Sequence, residues 1–234
     1  MNKERRKRIE VCDEEKKKFL AEAELAKYQA LTEKYASECE RLRFEEKERE
    51  AEIHLAADKY HHVYRFDQEV FDHSVRNCIE TLSIWHRLDP KCEVTIVFCS
   101  PGGSVIDGLS LFDFLLDFRK QGHRLTTIAR GYAASMAGIL MQCGDERVMG
   151  AEAWLLIHEI SAGAMGKLGD IEDRTQWLRH ICDRIVNIFA KRAAEKTGKS
   201  EKSIAKFIRK NWTRKDFWVS SEEALKYGFV DRIE

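Results

Sequence analysis

The sequence is poor in helix breakers, and the few it has are unevenly placed. It contains two prolines, Pro90 and Pro101, and all 13 of its glycines lie at Gly102 or later. A long opening stretch without a breaker, followed by a glycine-bearing remainder, predicts a helical arm joined to a compact domain. No apolar run approaches the roughly 18 residues of a membrane span, and the first residues lack the apolar core of a signal peptide, so no membrane partner is expected. An excess of one charge is missing too. Lys plus Arg and Asp plus Glu are 40 each, which argues against a bulk electrostatic partner such as nucleic acid. The opening MNKERRKRIE is basic only locally and is followed at once by DEEKKK, as at a solvated helix end. The seven cysteines are odd in number and no pair has CxxC spacing. That argues against a disulfide framework or a zinc site, and it implies a reducing, cytoplasmic setting.

What is present divides in two at about residue 60. In residues 1–59 about half the side chains are charged and Glu, Lys, Ala and Leu dominate, all strong helix formers. Tyr28, Tyr35 and Leu42 recur every seven residues, with Leu25, Cys39 and Ile53 near the interleaved positions. The seam is thin, so residues 1–59 read as a charged helical arm rather than a committed coiled coil. Residues 60–234 read as the compact domain. Val70, Phe71, Val75, Ile79, Leu82 and Ile84 suit an amphipathic helix over Tyr60–Leu88. Val94–Cys99 (VTIVFC) reads as a strand buried on both faces. An apolar-periodic helix is expected over Val105–Lys120, a strand over Leu125–Ala129, a glycine turn at Gly131 and a helix from Ser135. A strand over Trp154–His158 follows, then helices over Asp170–Lys196 and Ser200–Asn211. VSSEEALKYGFVDRI reads as a capped helix, a glycine stop and a last strand. Strands alternating with helices imply an α/β fold with a mainly parallel sheet.

Two glycine turns follow buried strands, SPGG at Ser100–Gly103 and GYAASMAG at Gly131–Gly138. Unpartnered backbone N–H groups at such turns can hold a phosphate or the oxyanion of acyl transfer. Neither turn fits a nucleotide-binding glycine pattern. Ser135 has small neighbours at a helix start, where a helix cap is the commonest role of serine and a nucleophile the rarer one. His158 ends a strand and faces the crevice where parallel sheets place their sites, although a satisfied half-buried histidine fits equally well. Asp216 precedes an apolar stretch and reads either as an imidazole partner or as a turn aspartate. The adjacent His61 and His62 diverge and make a weak metal site.

Taken together, SPGG, GYAASMAG, LIHE and DFWVSSEEALKYGFVD, in that order over roughly Tyr60–Glu234, resemble the proteolytic subunit of the Clp protease. The resemblance implies a fold of the Clp and crotonase type, with a mainly parallel sheet, a handle helix and here an added long N-terminal helix. It implies a serine endopeptidase acting on peptides or unfolded proteins. Ser135 matches the nucleophile, His158 the base and Asp216 the third member of the triad, while Gly103 and Met136 match the backbone donors of the oxyanion hole. No cofactor or metal is implied. The handle, Asp170–Lys196 with Ile171, Leu178, Ile181, Ile185 and Ile188 on one stripe, implies heptameric rings, and an AAA+ unfoldase is the family's usual partner. Two departures stand out. His158-Glu159-Ile160 replaces the usual His-Gln-Pro beside the substrate groove, and the charged arm replaces a short pore loop. With these departures the resemblance extends to divergent Clp-like peptidases encoded by phages and mobile elements, some resembling capsid-maturation proteases. The rival readings are a crotonase-like enzyme acting on a coenzyme A thioester and an assembly or capsid protein that uses the arm for docking.

Overall fold

The structure, a computed structural model, describes the backbone from Lys3 onward and the side chains from Glu15 onward. The side chains of Cys12 and of the basic opening segment therefore lie outside the described residues. Two units are distinguished, Met1–Ala57 and Asp58–Glu234. The first is built on one helix, α1 (Lys3–Ala56). Tyr28, Tyr35 and Leu42, the thin seam, are all exposed on it, as expected of a helix with too few apolar residues to bury a face. Among the described residues no helix is long and apolar enough to cross a membrane.

The second unit runs β1 (Val63–Phe66), α2 (Asp72–Leu88), β2 (Glu93–Ser100), α3 (Val105–Lys120), β3 (Arg124–Ala134), α4 (Met136–Met141), β4 (Glu146–Met149) and β5 (Trp154–Ile157). It continues with α5 (Leu168–Thr197), α6 (Glu201–Trp212), β6 (Phe217–Ser220), α7 (Ser221–Tyr227) and β7 (Arg232–Ile233). One sheet carries the strands in the order β1-β2-β3-β4-β7, all parallel, with β5 parallel to β3 and β6 antiparallel to β5. The fold is α/β with a mainly parallel sheet and a long N-terminal helix.

Several local expectations are corrected. Tyr60–Leu88 is not one helix, because Val63–Phe66 forms edge strand β1 against β2 and the helix starts only at Asp72. On β2, Val94, Ile96 and Phe98 are buried while Thr95 and Val97 are half-buried, so the strand is sealed on one face only. Gly131 is no turn. It sits within β3 at φ 72°, a conformation a side chain resists, and there the strand changes partners. Up to Ala129 it pairs with β4, and from Tyr132 it pairs with β5. The short strand β4 escaped the sequence reading because it holds an arginine in the interior. Arg147 is 1 % exposed and grips Asp231 with two bonds, Nη2 to Oδ1 at 2.8 Å and Nε to Oδ2 at 3.0 Å. Its Nη1 donates to Gln142 Oε1 and to the Gly228 carbonyl, satisfying a buried charge that would otherwise be costly. α7 is capped by Ser220, which accepts from the Glu223 N–H, and stops at left-handed Gly228.

The handle divides at Ile181. Beyond it, Ile181, Ile185, Val186 and Phe189 are buried in the core, whereas before it Leu168 and Trp177 are exposed and Ile171 and Leu178 only partly covered.

Candidate functional site

β3 ends at Ala134 and α4 begins at Met136, so Ser135 occupies the corner between them. Its N–H still donates to the Leu156 carbonyl at 2.8 Å, continuing the pairing with β5. Its backbone then turns to φ 54°, ψ −122°. For a non-glycine residue that conformation costs on the order of 1–2 kcal/mol. The serine does not act as a helix cap, since its side chain makes no capping bond. Strand pairing on one side and the buried residues of α4 on the other hold the strain and leave the hydroxyl free of the helix.

The SPGG turn lies against this corner. Gly102 has φ 85°, and a Cβ there would come within 2.6 Å of the Ala134 carbonyl, 2.7 Å of Ser135 Cβ and 2.8 Å of the Met136 nitrogen. Only glycine allows so close an approach. Val70 fixes the turn, its N–H donating to the Gly102 carbonyl at 2.8 Å and its carbonyl accepting from the Ser104 N–H at 2.7 Å. That bridge leaves the Gly103 N–H out of the pairing. The Met136 N–H, first in α4, has no acceptor within its helix.

Ser135, Met136, Gly103 and His158 line one cavity of about 270 Å³, together with the apolar Val105, Ile139, Ile185 and Phe189 and the carboxylate-bearing Glu159. Size and lining suit a short stretch of peptide rather than a large cofactor. His158, one residue past β5, is half-buried. Asp216 is exposed on the turn before β6 and does not line the cavity. Ile157 stands opposite Phe217 in the antiparallel ladder. His158 follows Ile157 and Asp216 precedes Phe217, so both lie just beyond the last pair of that ladder. Among the described residues no hydrogen bond joins Ser135, His158 and Asp216.

Glu159, which stands where the usual His-Gln-Pro has glutamine, has a structural role of its own. Its Oε2 accepts the Arg214 N–H at 2.8 Å, and Arg214 has a left-handed φ of 57°. The residue after the histidine thus ties down the turn that carries Asp216. The signal for this tie is the pairing of β5 with β6, which no local pattern in the sequence carries.

A family model described as Clp protease matches residues 45–234. The match reaches upstream of the motifs and into the last turns of α1.

Proposed function

Because the chain belongs to the Clp protease family, we propose that it hydrolyses peptide bonds at the Ser135 corner by acyl transfer. The observation that carries this reading is the strained, uncapped Ser135 sharing one cavity with His158, Gly103 and Met136. His158 takes the proton from Ser135 Oγ as the oxygen attacks the peptide carbonyl carbon. The negative charge that gathers on the carbonyl oxygen is met by the N–H groups of Gly103 and Met136. When the C–N bond breaks, His158 returns the proton to the leaving amine. Water then attacks the acyl carbon as His158 takes its proton, and when the bond to Ser135 Oγ breaks His158 gives that proton to Oγ, releasing the carboxylic acid. Asp216 orients the imidazole from across the strand pair and stabilises it when charged. The three side chains draw into hydrogen-bond contact when a peptide fills the cavity, as catalytic contacts do between the free and bound states.

The family implies oligomeric rings and peptide substrates. Here the ring is heptameric, with the exposed half of α5 meeting a second ring. Hydrolysis of folded proteins depends on an ATP-driven unfoldase, and α1 serves as the docking element for that partner or for an assembly protein such as a capsid subunit. Ser135 and His158 in the cavity favour peptide hydrolysis over thioester chemistry of the crotonase kind, which needs no such pair.

Fluorophosphonate labelling with mapping of the modified residue tests the assignment. Ser135 should carry the label, and Ser135→Ala should lose peptide cleavage by about 10⁴-fold or more while keeping its fold. Attachment to a different serine would sink the reading.

A further inference from the structure

A second cluster of reactive side chains lies at the opposite end of the parallel sheet from Ser135. His62 immediately precedes β1, Cys92 precedes β2 and His123 precedes β3. The three strands run parallel side by side, so the residues just before them become neighbours. Asp89, just after α2, reaches the same place through the turn Asp89–Cys92, in which the Cys92 N–H donates to the Asp89 carbonyl.

One nitrogen of His62, one carboxylate oxygen of Asp89 and the sulfur of Cys92 all lie within 4.8 Å of one another. His62 Nδ1 stands 4.0 Å from Asp89 Oδ2. Ligand atoms of a tetrahedral zinc site are separated by roughly 3.3–3.7 Å, as metal–ligand distances of about 2.0–2.3 Å require. The three atoms therefore need to close by little more than 1 Å. Asp89 is exposed and His62 half-buried, so both side chains have room to turn, whereas Cys92 is buried and fixed. A second layer already surrounds the sulfur. His123 Nδ1 lies 3.5 Å from Cys92 Sγ and 3.0 Å from the Cys92 carbonyl, and His86 Nδ1 lies 2.8 Å from His123 Nε2. Chains of this kind orient a ligating atom and tune its basicity. The His62 ring is held edge-on against Trp85 at 5.2 Å.

A core thiol and a surface ion pair would each be ordinary by itself. Neither explains why a thiol, an imidazole and a carboxylate gather at one point beside a histidine relay. A thiolate with an imidazole and one carboxylate selects a borderline cation of the zinc class over magnesium or calcium, which take oxygen ligands. We propose that His62, Asp89 and Cys92 bind one such divalent cation, with His123 steering the Cys92 sulfur and water completing the coordination. The bound ion would pin the start of β1 to the α2–β2 turn, and it takes no part in the chemistry at Ser135.

The test uses the full chain, freed of metal with a chelator and titrated with Co²⁺ and then Zn²⁺. About one Co²⁺ per chain should give sulfur-to-cobalt charge-transfer absorption, abolished by Zn²⁺ and absent in Cys92→Ser. Excess Zn²⁺ should raise Tm by about 5 °C at a hundredfold over its Kd. Asp89→Asn and His62→Gln change exposed or half-exposed positions, so both should fold, and each should weaken Zn²⁺ binding at least tenfold. His61→Gln, at the exposed neighbouring position, should bind as the parent does. No charge-transfer band, a band that survives Cys92→Ser, or unchanged Zn²⁺ affinity in both Asp89→Asn and His62→Gln would each overturn the proposal. Labelling of Ser135 is read separately, so either conclusion can fail without the other.

Discussion

Gly102→Ala tests whether the SPGG turn sets the geometry of the Ser135 corner. The added methyl would lie 2.6 Å from the Ala134 carbonyl, 2.7 Å from Ser135 Cβ and 2.8 Å from the Met136 nitrogen. All three are backbone or Cβ atoms that no rotamer change can move aside. Ordinary contact begins at 3.4 Å, so the turn and the corner must part by roughly 0.8 Å. Misplacement of about 1 Å commonly costs some 10²-fold in rate. We therefore expect kcat/KM for a short fluorogenic peptide to fall about 10- to 100-fold, or about 1.4–2.7 kcal/mol of transition-state stabilisation. Alanine at φ 85° also adds about 1–2 kcal/mol of backbone strain, which lowers Tm by about 2–8 °C. The assay pairs peptide cleavage at 25 °C with thermal unfolding followed by circular dichroism. Gly163→Ala is the control, since nothing lies within 4 Å of a Cβ built there, and it should change neither quantity. Wild-type kcat/KM in a folded Gly102→Ala protein would refute the close-approach argument.

The remaining predictions concern stability, assembly and the arm. Burial pushes the Asp231 carboxyl up, but the hydrogen bonds and charge of Arg147 outweigh it and hold its pKa below the ordinary value; Arg119 does the same for Asp145 against the same burial. Groups with a depressed folded pKa stabilise above their unfolded value of about 4, and that contribution is lost as pH falls below it. Tm should thus drop steeply below about pH 4, and Asp231→Asn should cost about 2–4 kcal/mol at pH 7 by leaving Arg147 unpaired; a flat acid limb in the parent would contradict this. On α5, Ile185→Asp should unfold the chain because Ile185 is 3 % exposed, whereas Trp177→Asp should keep the fold and lower the assembly mass seen by light scattering. A Trp177→Asp protein of unchanged mass would remove that half of the helix from the interface. Deleting residues 1–57 should leave a soluble core that cleaves short peptides, since none of the cavity residues lies there; an insoluble or inactive product would show that the core needs the arm.

The sequence carried the parallel α/β plan because its buried strands are strongly apolar and its helices well punctuated. VTIVFC reads as a strand without help, and KYGF announces the end of α7. The short strands did not announce themselves. Val63–Phe66 follows a charged run, Glu146–Met149 contains an arginine that any sequence reading places on the surface, and Phe217–Ser220 is four residues long. Each is a strand only because a neighbour pairs with it, and pairing is a long-range fact. At the site, Ser135, His158, Gly103 and Met136 were legible as motifs, and all four line one cavity. The tie from Glu159 to Arg214 was not, because it depends on β6 lying beside β5. The apolar stripe of α5 fits both a ring-meeting handle and a core helix; Ile181 and Ile185 belong to the core, and the turns before them are the exposed part. His62, Asp89 and Cys92 escaped for a related reason. Their closeness follows from parallel strand starts, not from spacing along the chain.

The change of partners along β3 bears on how this enzyme would fail. The strand is hydrogen-bonded to β2 along most of its length and, on its other edge, first to β4 and then to β5. A strand so clamped cannot fray from its end, and amides within it should exchange with solvent only when the whole unit opens. The awkward backbone of Ser135 sits at the end of that strand and cannot relax while the strand stays in register. Heat should therefore silence the enzyme in the same cooperative step that unfolds it, with no earlier temperature at which the Ser135 corner has slackened and the protein still stands.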